Sequence, residues 1–217
     1  MRIDLDTLSP RDRYRLVVSA VVPRPIALTT TVDAAGRVNA APFSFFNVMG
    51  GDPPVLVIGT ERHADGRPKD TGANIRETGE FVVNLVSEAM AGAMNVCAIP
   101  FPPGEDELRR AGLTPVPAAC VRPPLIAESP ASFECRLMQA VDLGGGGTLN
   151  IGRIVSLHIR DEFFDADRRH VRTEAMGLIA RMHGSGWYAR TGDLFRMERM
   201  TYPERTKEGE VGPSTGD

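Results

Sequence analysis

Nothing in this chain stays apolar for long. A membrane-spanning helix needs about 20 consecutive apolar residues, and the longest such stretch, Leu16 to Val22, is broken by Ser19 and closed by Pro23. Cysteine is scarce: Cys97, Cys120 and Cys135 are odd in number and widely spaced, which suits buried reduced thiols rather than a disulfide framework. The N-terminus MRIDLDTLSPRDRY is dense in charge where a secretory signal requires an uninterrupted apolar core. These absences predict a cytoplasmic protein with no membrane partner. Clustered positive charge is missing as well. The net charge is −3 with no basic run behind it, so no nucleic-acid partner is expected.

The usual chemical signatures are absent too. There is no G-x-G-x-x-G after a strand and no G-x-x-x-x-G-K-[ST], which removes the phosphate loops of most dinucleotide and ATP enzymes. The run Gly144-Gly145-Gly146-Gly147 is not a substitute, because no helix follows it to receive a pyrophosphate. His63, His158, His170 and His183 fall in no zinc spacing, and no metal is implied. No G-x-S-x-G occurs, and none of the cysteines carries a nucleophile's local signature.

What is present is an ordinary globular composition, 42% hydrophobic and 24% charged. One domain is expected over residues 1–202. A flexible tail is expected over 203–217, where Val211 is the lone aliphatic residue. Ser9-Pro10-Arg11-Asp12 reads as a helix start, with the helix running to about Ser19. PIALTTTV (25–32) and RVNAAPFSFF (37–46) flank the turn DAAG and read as a hairpin, and PVLVIGT (54–60) as a buried strand. Asp70 is expected to cap a short helix, DTGANIRET, that Gly79 ends before the strand FVVNLV (81–86). Residues 88–98 look helical, and a proline-rich excursion with a short acidic helix at Glu105 to Arg110 runs from Pro100 to Pro124. Two long β-type segments, Phe133 to Asp142 and Thr148 to Arg160, flank the four glycines as a second hairpin. Many short strands with few helices predict a mainly β protein, a β-barrel with helical additions.

The segment RPKDTGANIRETGEF (67–81) gathers a cation, a hydroxyl and free helix amides, a combination that favours an anion. Lys69 supplies charge, Thr71 and Asn74 supply donors, and Gly72 lets the backbone come close. A capped surface helix with a solvated lysine accounts for the same residues. In PRPIALTTTVDAAGRVNAAPFSFFNVMG (23–50), the small and hydroxyl residues Thr29, Thr30, Asn39, Ala40, Ala41 and Ser44 leave room on a barrel rim for a flat ring with a polar edge. Strand-ending prolines and core phenylalanines explain that segment equally well.

Four ordered blocks between Tyr14 and Tyr202 carry a family resemblance: 23–60, KDTGANIRETGEFVVNLVSE, LNIGRIVSLHIRD and ARMHGSGWYART. With them the chain resembles the flavin reductase-like, FMN-binding split-barrel family that includes flavoredoxin-type proteins. The resemblance implies a dimeric split barrel with FMN near the subunit interface. It places Arg24, Thr29, Thr30, Asn39, Ala41, Ser44 and Asn47 along the flavin, and Lys69, Thr71 and Asn74 at its phosphate. Arg181, His183, Trp187 and Tyr188 fall in the last block, where family members often approach the cofactor or the nicotinamide side. That block reads MHGSGWY where many relatives have two small residues before the aromatic, so Trp187 is expected to narrow the substrate side. His158 matches a frequent family histidine, and a strand histidine satisfied by a backbone partner is the other reading. The implied activity is NADH- or NADPH-dependent flavin reduction, hydride passing through bound FMN to free flavin or another acceptor. The alternative is a non-enzymatic FMN electron carrier supplied by a protein partner.

Overall fold

The computed structural model describes residues 1–63, 65–102 and 104–202, so the expected tail 203–217 lies outside the described residues. Seven antiparallel strands dominate: β1 (Ala27–Val32), β2 (Val38–Phe43), β3 (Phe46–Gly51), β4 (Pro54–Glu61), β5 (Glu80–Leu85), β6 (Ala131–Gly144) and β7 (Gly147–Ile159). Their order in the sheet is β2-β1-β5-β6-β7-β4-β3. The two edge strands β2 and β3 follow one another in the chain with only Ser44 and Phe45 between them. The sheet must therefore curl until its edges meet. At the seam the Gly59 N–H donates to the Phe45 carbonyl at 2.7 Å, but no ladder joins β2 to β3. The result is a split barrel.

This seam corrects one expectation. The segment 37–46 is not a single strand: β2 stops at Phe43, and Phe46 begins β3, which pairs with β4 from Phe46↔Ile58 to Gly51↔Pro54. Gly59 makes the sharp passage possible, because a Cβ there would stand 2.9 Å from the Phe45 Cβ. The second hairpin is as expected, with positive φ at Gly144, Gly145 and Gly146.

Alternation along each strand sorts side chains into two cores. Inside the barrel, Ala27, Leu56, Ile58, Phe81, Val83 and Cys135 pack together, and Ile75 enters from helix α2 (Asp70–Thr78), which plugs one end. Outside, Leu28, Ala40, Val86 and Ile126 pack beneath the excursion, with helices α3 (Ala91–Val96) and α4 (Glu107–Ala111) lying over them. Strand β1 is thus covered on both faces, which explains why all of Ala27–Val32 is buried despite three threonines. Helix α1 (Pro10–Ala20) starts as expected, the Ser9 Oγ accepting from the Asp12 N–H at 3.1 Å, yet only Val18 of it is buried.

Buried polar groups hold the excursion in place. The Asn84 Oδ1 accepts from the Ile126 N–H at 3.0 Å and from the Ser132 hydroxyl at 2.7 Å. Glu134, wholly buried on β6, accepts the N–H groups of Ala119, Cys120 and Val121 at 2.9, 2.5 and 3.0 Å and pairs with His158. The partner of His158 is thus a carboxylate, not the backbone. The same turn leaves Cys120 exposed, where a buried thiol was expected. Burial pushes the Glu134 carboxyl upward, but the Ala119 N–H, His158 and the Cys120 N–H outweigh it and hold the group below the ordinary glutamate value of 4.5.

A depressed folded-state value stabilises above the unfolded value and loses that contribution as pH falls through the folded one. Glu134→Gln is therefore expected to cost about 2 kcal/mol at pH 7. It should also flatten the acid limb of the stability profile below pH 4.5, read by urea unfolding; parallel acid limbs for variant and wild type would contradict this role.

Candidate functional site

Helix α2 begins without a cap. Its N-cap position is Lys69, whose side chain makes no capping bond, and Asp70 is the first helical residue rather than the cap expected from sequence. A helix start leaves amide N–H groups without intrahelical acceptors, and the helix dipole puts partial positive charge there. The opening faces a cleft of about 250 Å³ that Asn39, Ala41, Phe43, His63, Lys69 and Thr71 help to line. Past Phe43 and Lys69 the space continues into a recess of about 160 Å³ that includes Tyr14, Ser44, Phe45 and Glu61.

A hydrogen-bonded net fixes the helix to the sheet. The Asn39 Nδ2 donates to Thr31 Oγ1 at 3.2 Å and to Thr71 Oγ1 at 2.9 Å, and the Asn74 Nδ2 donates to Thr31 Oγ1 at 3.0 Å. Thr71 accepts from Asn39, so its own proton is available to a ligand. Gly72 is buried against β4, where a Cβ would stand 3.1 Å from Thr60 Oγ1; its missing side chain serves helix-to-sheet packing. Lys69 is half exposed, its Nζ 3.6 Å from Glu61 Oε2. Glu61 and His63 reach the site because the chain doubles back, with Arg62 bridged to Pro68.

The residues singled out in the sequence separate into groups. Asn39, Ala41, Lys69 and Thr71 meet in the cleft, and Ser44 lies in the recess. Asn74 stands behind them on the barrel side of the helix. Thr29 is buried with its hydroxyl unpartnered, whereas Thr30 points to the other face and donates to the Pro124 carbonyl at 2.5 Å. The Arg24 guanidinium is committed to structure: it donates to the carbonyls of Val18, Val21 and Met182 and to the Ser44 hydroxyl. Asn47 is exposed and accepts from the Val48 N–H.

The last block lies apart from the cleft in a small hairpin of β8 (Ile179–Arg181) and β9 (Tyr188–Arg190). There the Arg181 guanidinium sits 4.8 Å over the Tyr188 ring, and His183 stacks on Trp187 at 6.1 Å. Trp187 is 63% exposed.

Two neighbours limit what the cleft can do. Burial pushes the Cys97 thiol up to about 12, with Glu107 adding to the effect, so no thiolate nucleophile stands at neutral pH. Glu107 is also pushed upward, by burial first and by Asp70 and Asp106 next, while its Oε2 accepts the Ala40 N–H at 3.1 Å. On the far side of Asp70 a second cavity of about 370 Å³, which Asn39 and Asn74 also line, carries Asp33, Glu77, Glu105 and Glu107 against the single cation Arg37, which is paired with Asp33, so its balance of charge disfavours an anion. Lys69 faces the other cleft, beside the start of α2. Thr31, Glu61, His63 and Glu107 were not singled out in the sequence.

Comparison with known proteins decides the family. A family model described as flavin reductase like domain matches residues 19–175. The chain belongs to the flavin reductase-like family. Nitrilotriacetate monooxygenase component B from Bacillus cereus is 33% identical with a TM-score of 0.86, over 91% of this chain and 98% of that one. The 2-nitrobenzoate 2-nitroreductase NbaA of Pseudomonas fluorescens is also 33% identical, with a TM-score of 0.85 over 100% of both chains. A Shewanella frigidimarina protein described as a flavin reductase with a split barrel domain shares the fold, with a TM-score of 0.76 at 23% identity over 91% of this chain and 96% of that one. Membership makes this family member a flavin-related oxidoreductase. No helix among the described residues is long and apolar enough to cross a membrane.

Proposed function

We propose that this protein is an FMN-dependent NAD(P)H oxidoreductase of the flavin reductase type, and that the flavin phosphate is held at the start of helix α2. What carries the reading is the uncapped helix N-terminus beside Lys69 and the Thr71 hydroxyl, opening into a cleft whose Cys97 thiol burial keeps protonated. The residues fit the group. A phosphate dianion would complete the free α2 amides, take the Thr71 proton and draw Lys69 from its loose pairing with Glu61. Ala41 leaves space beside Phe43 for a flat ring, and Ser44 lies further along the same trough.

Bound FMN would supply the two-electron chemistry, taking hydride from NADH or NADPH and returning it to free flavin or another acceptor. The chain's own part is binding and orientation. Asn39, Thr31 and Asn74 hold α2 in register, and Glu107 secures β2 at Ala40. The active form is a homodimer of the 1–202 domain. In support, residues 192–201 carry no helix or strand yet present Leu194, Phe195, Met197 and Met200 to solvent, Phe195 being 84% exposed. Val48 and Met49 on edge strand β3 and Leu16 and Val17 on α1 are exposed as well. These exposed apolar side chains are the surface that a second copy of the chain would cover.

Two experiments test these claims. Protein loaded with FMN and freed of excess should show a flavin spectrum that bleaches under anaerobic NADH or NADPH, and Lys69→Ala should bind FMN roughly tenfold more weakly. Flavin that stays oxidised would move the assignment to an electron carrier, and a protein that retains no flavin would overturn it. Light scattering should give twice the 23.5 kDa chain mass, falling to one chain when the protein is truncated after Thr191; an unchanged monomeric mass would contradict the dimer.

A further inference from the structure

Arg24 carries a buried charge for which the structural role of its hydrogen bonds does not account. The residue is 8% exposed, and its guanidinium donates to the carbonyls of Val18 at 2.6 Å, Val21 at 2.7 Å and Met182 at 3.2 Å and to the Ser44 hydroxyl at 3.3 Å. All four partners are neutral. Among the described residues no ion pair includes Arg24, and the residue opposite it in the ladder is Arg181, a second cation. The carbonyls at the end of α1 offset part of the cost of burial, since the helix dipole favours a cation there. They do not cancel the charge, which an arginine keeps throughout the working pH range. A neutral donor could meet the same acceptors, so the hydrogen bonds alone do not call for a buried cation.

This charge stands behind the wall of the proposed flavin trough. Ser44 lines the recess with Phe43 and Lys69, and because its oxygen accepts from the Arg24 Nε, its own proton is free to turn toward the recess. Tyr14, from the helix whose last carbonyls Arg24 grips, lines the recess too and meets Phe45 edge-on at 6.2 Å. Lys69 is the cation assigned above to the phosphate. That leaves Arg24, acting through Ser44, for the ring.

Hydride from NADH or NADPH brings two electrons and one proton to a neutral flavin ring and leaves NAD+ or NADP+ behind. The ring gains one negative charge. A fixed buried cation and an oriented hydroxyl proton favour that charged state over the oxidised one, because away from bulk water their field is weakly screened. We infer that Arg24 is a positioning residue that raises the reduction potential of bound flavin, through its charge and through the Ser44 hydroxyl it orients. The inference rests on the flavin placement proposed above.

Anaerobic titration of the FMN-loaded full chain against a reference dye, with the affinity for oxidised FMN measured alongside, gives the ratio of affinities for reduced and oxidised flavin. Arg24→Gln, which keeps donors but removes the charge, should lower that ratio about tenfold, a drop of about 30 mV for a two-electron couple. Arg24→Lys should hold it within about twofold of wild type, and Ser44→Ala, which leaves the guanidinium on its three carbonyls, should lower it about threefold. A purely structural Arg24 would weaken both flavin states alike. An unchanged ratio in Arg24→Gln would therefore overturn the inference, as would an equal loss in Arg24→Lys. Should Arg24→Gln fail to fold, Ser44→Ala decides in its place, an unchanged ratio again overturning the inference. Wild type that retains no flavin would overturn the flavin reading itself, and this inference with it.

Discussion

The site depends on one shared acceptor. Thr31 Oγ1 receives both the Asn39 and the Asn74 amides, and Asn39 also reaches Thr71, so a single buried net ties β1, β2 and α2 together. Inside a barrel such bonds are costly to leave unmade, which fixes the helix with little freedom. The same net spends Asn74 on structure and leaves the start of α2 without a cap. The proposed phosphate placement rests on that helix end, which is held rigidly and leaves its first amides without intrahelical acceptors.

The rest of the architecture serves that placement. The barrel seam at Ser44 and Phe45 puts the end of β2 beside the end of β4, which brings Phe43 and Glu61 to the same trough. Buried Glu134 and Asn84 pin the excursion to the outer face of the sheet, so that α4 can set Glu107 against β2. Arg24 performs the corresponding task at the other side, joining α1, Ser44 and the hairpin that carries Trp187.

Much of this was legible in sequence. The barrel class, the α2 segment and the glycine hairpin rest on local signals, turn residues and periodicity, and these survive folding. What escaped were contacts between distant segments. Thr31 reads as one more β-branched residue until β2 places Asn39 opposite it. Glu61 and His63 gain meaning only when the Arg62 and Pro68 bridge folds the chain back toward Lys69. The expected cap at Asp70 failed by one position, since Lys69 occupies the N-cap and the carboxylate falls inside the first turn. The family resemblance alone places Arg24 along the flavin, and no local signal in the sequence names its partners. Its partners are carbonyls at the end of α1 and in the segment after β8.

The central claim is that the uncapped start of α2 holds a phosphate. Comparing the dissociation constants of FMN and riboflavin, which differ only in that phosphate, tests it most directly. The account predicts that FMN binds on the order of 100-fold tighter, with the difference shrinking as salt is raised. Equal affinities for the two would contradict it.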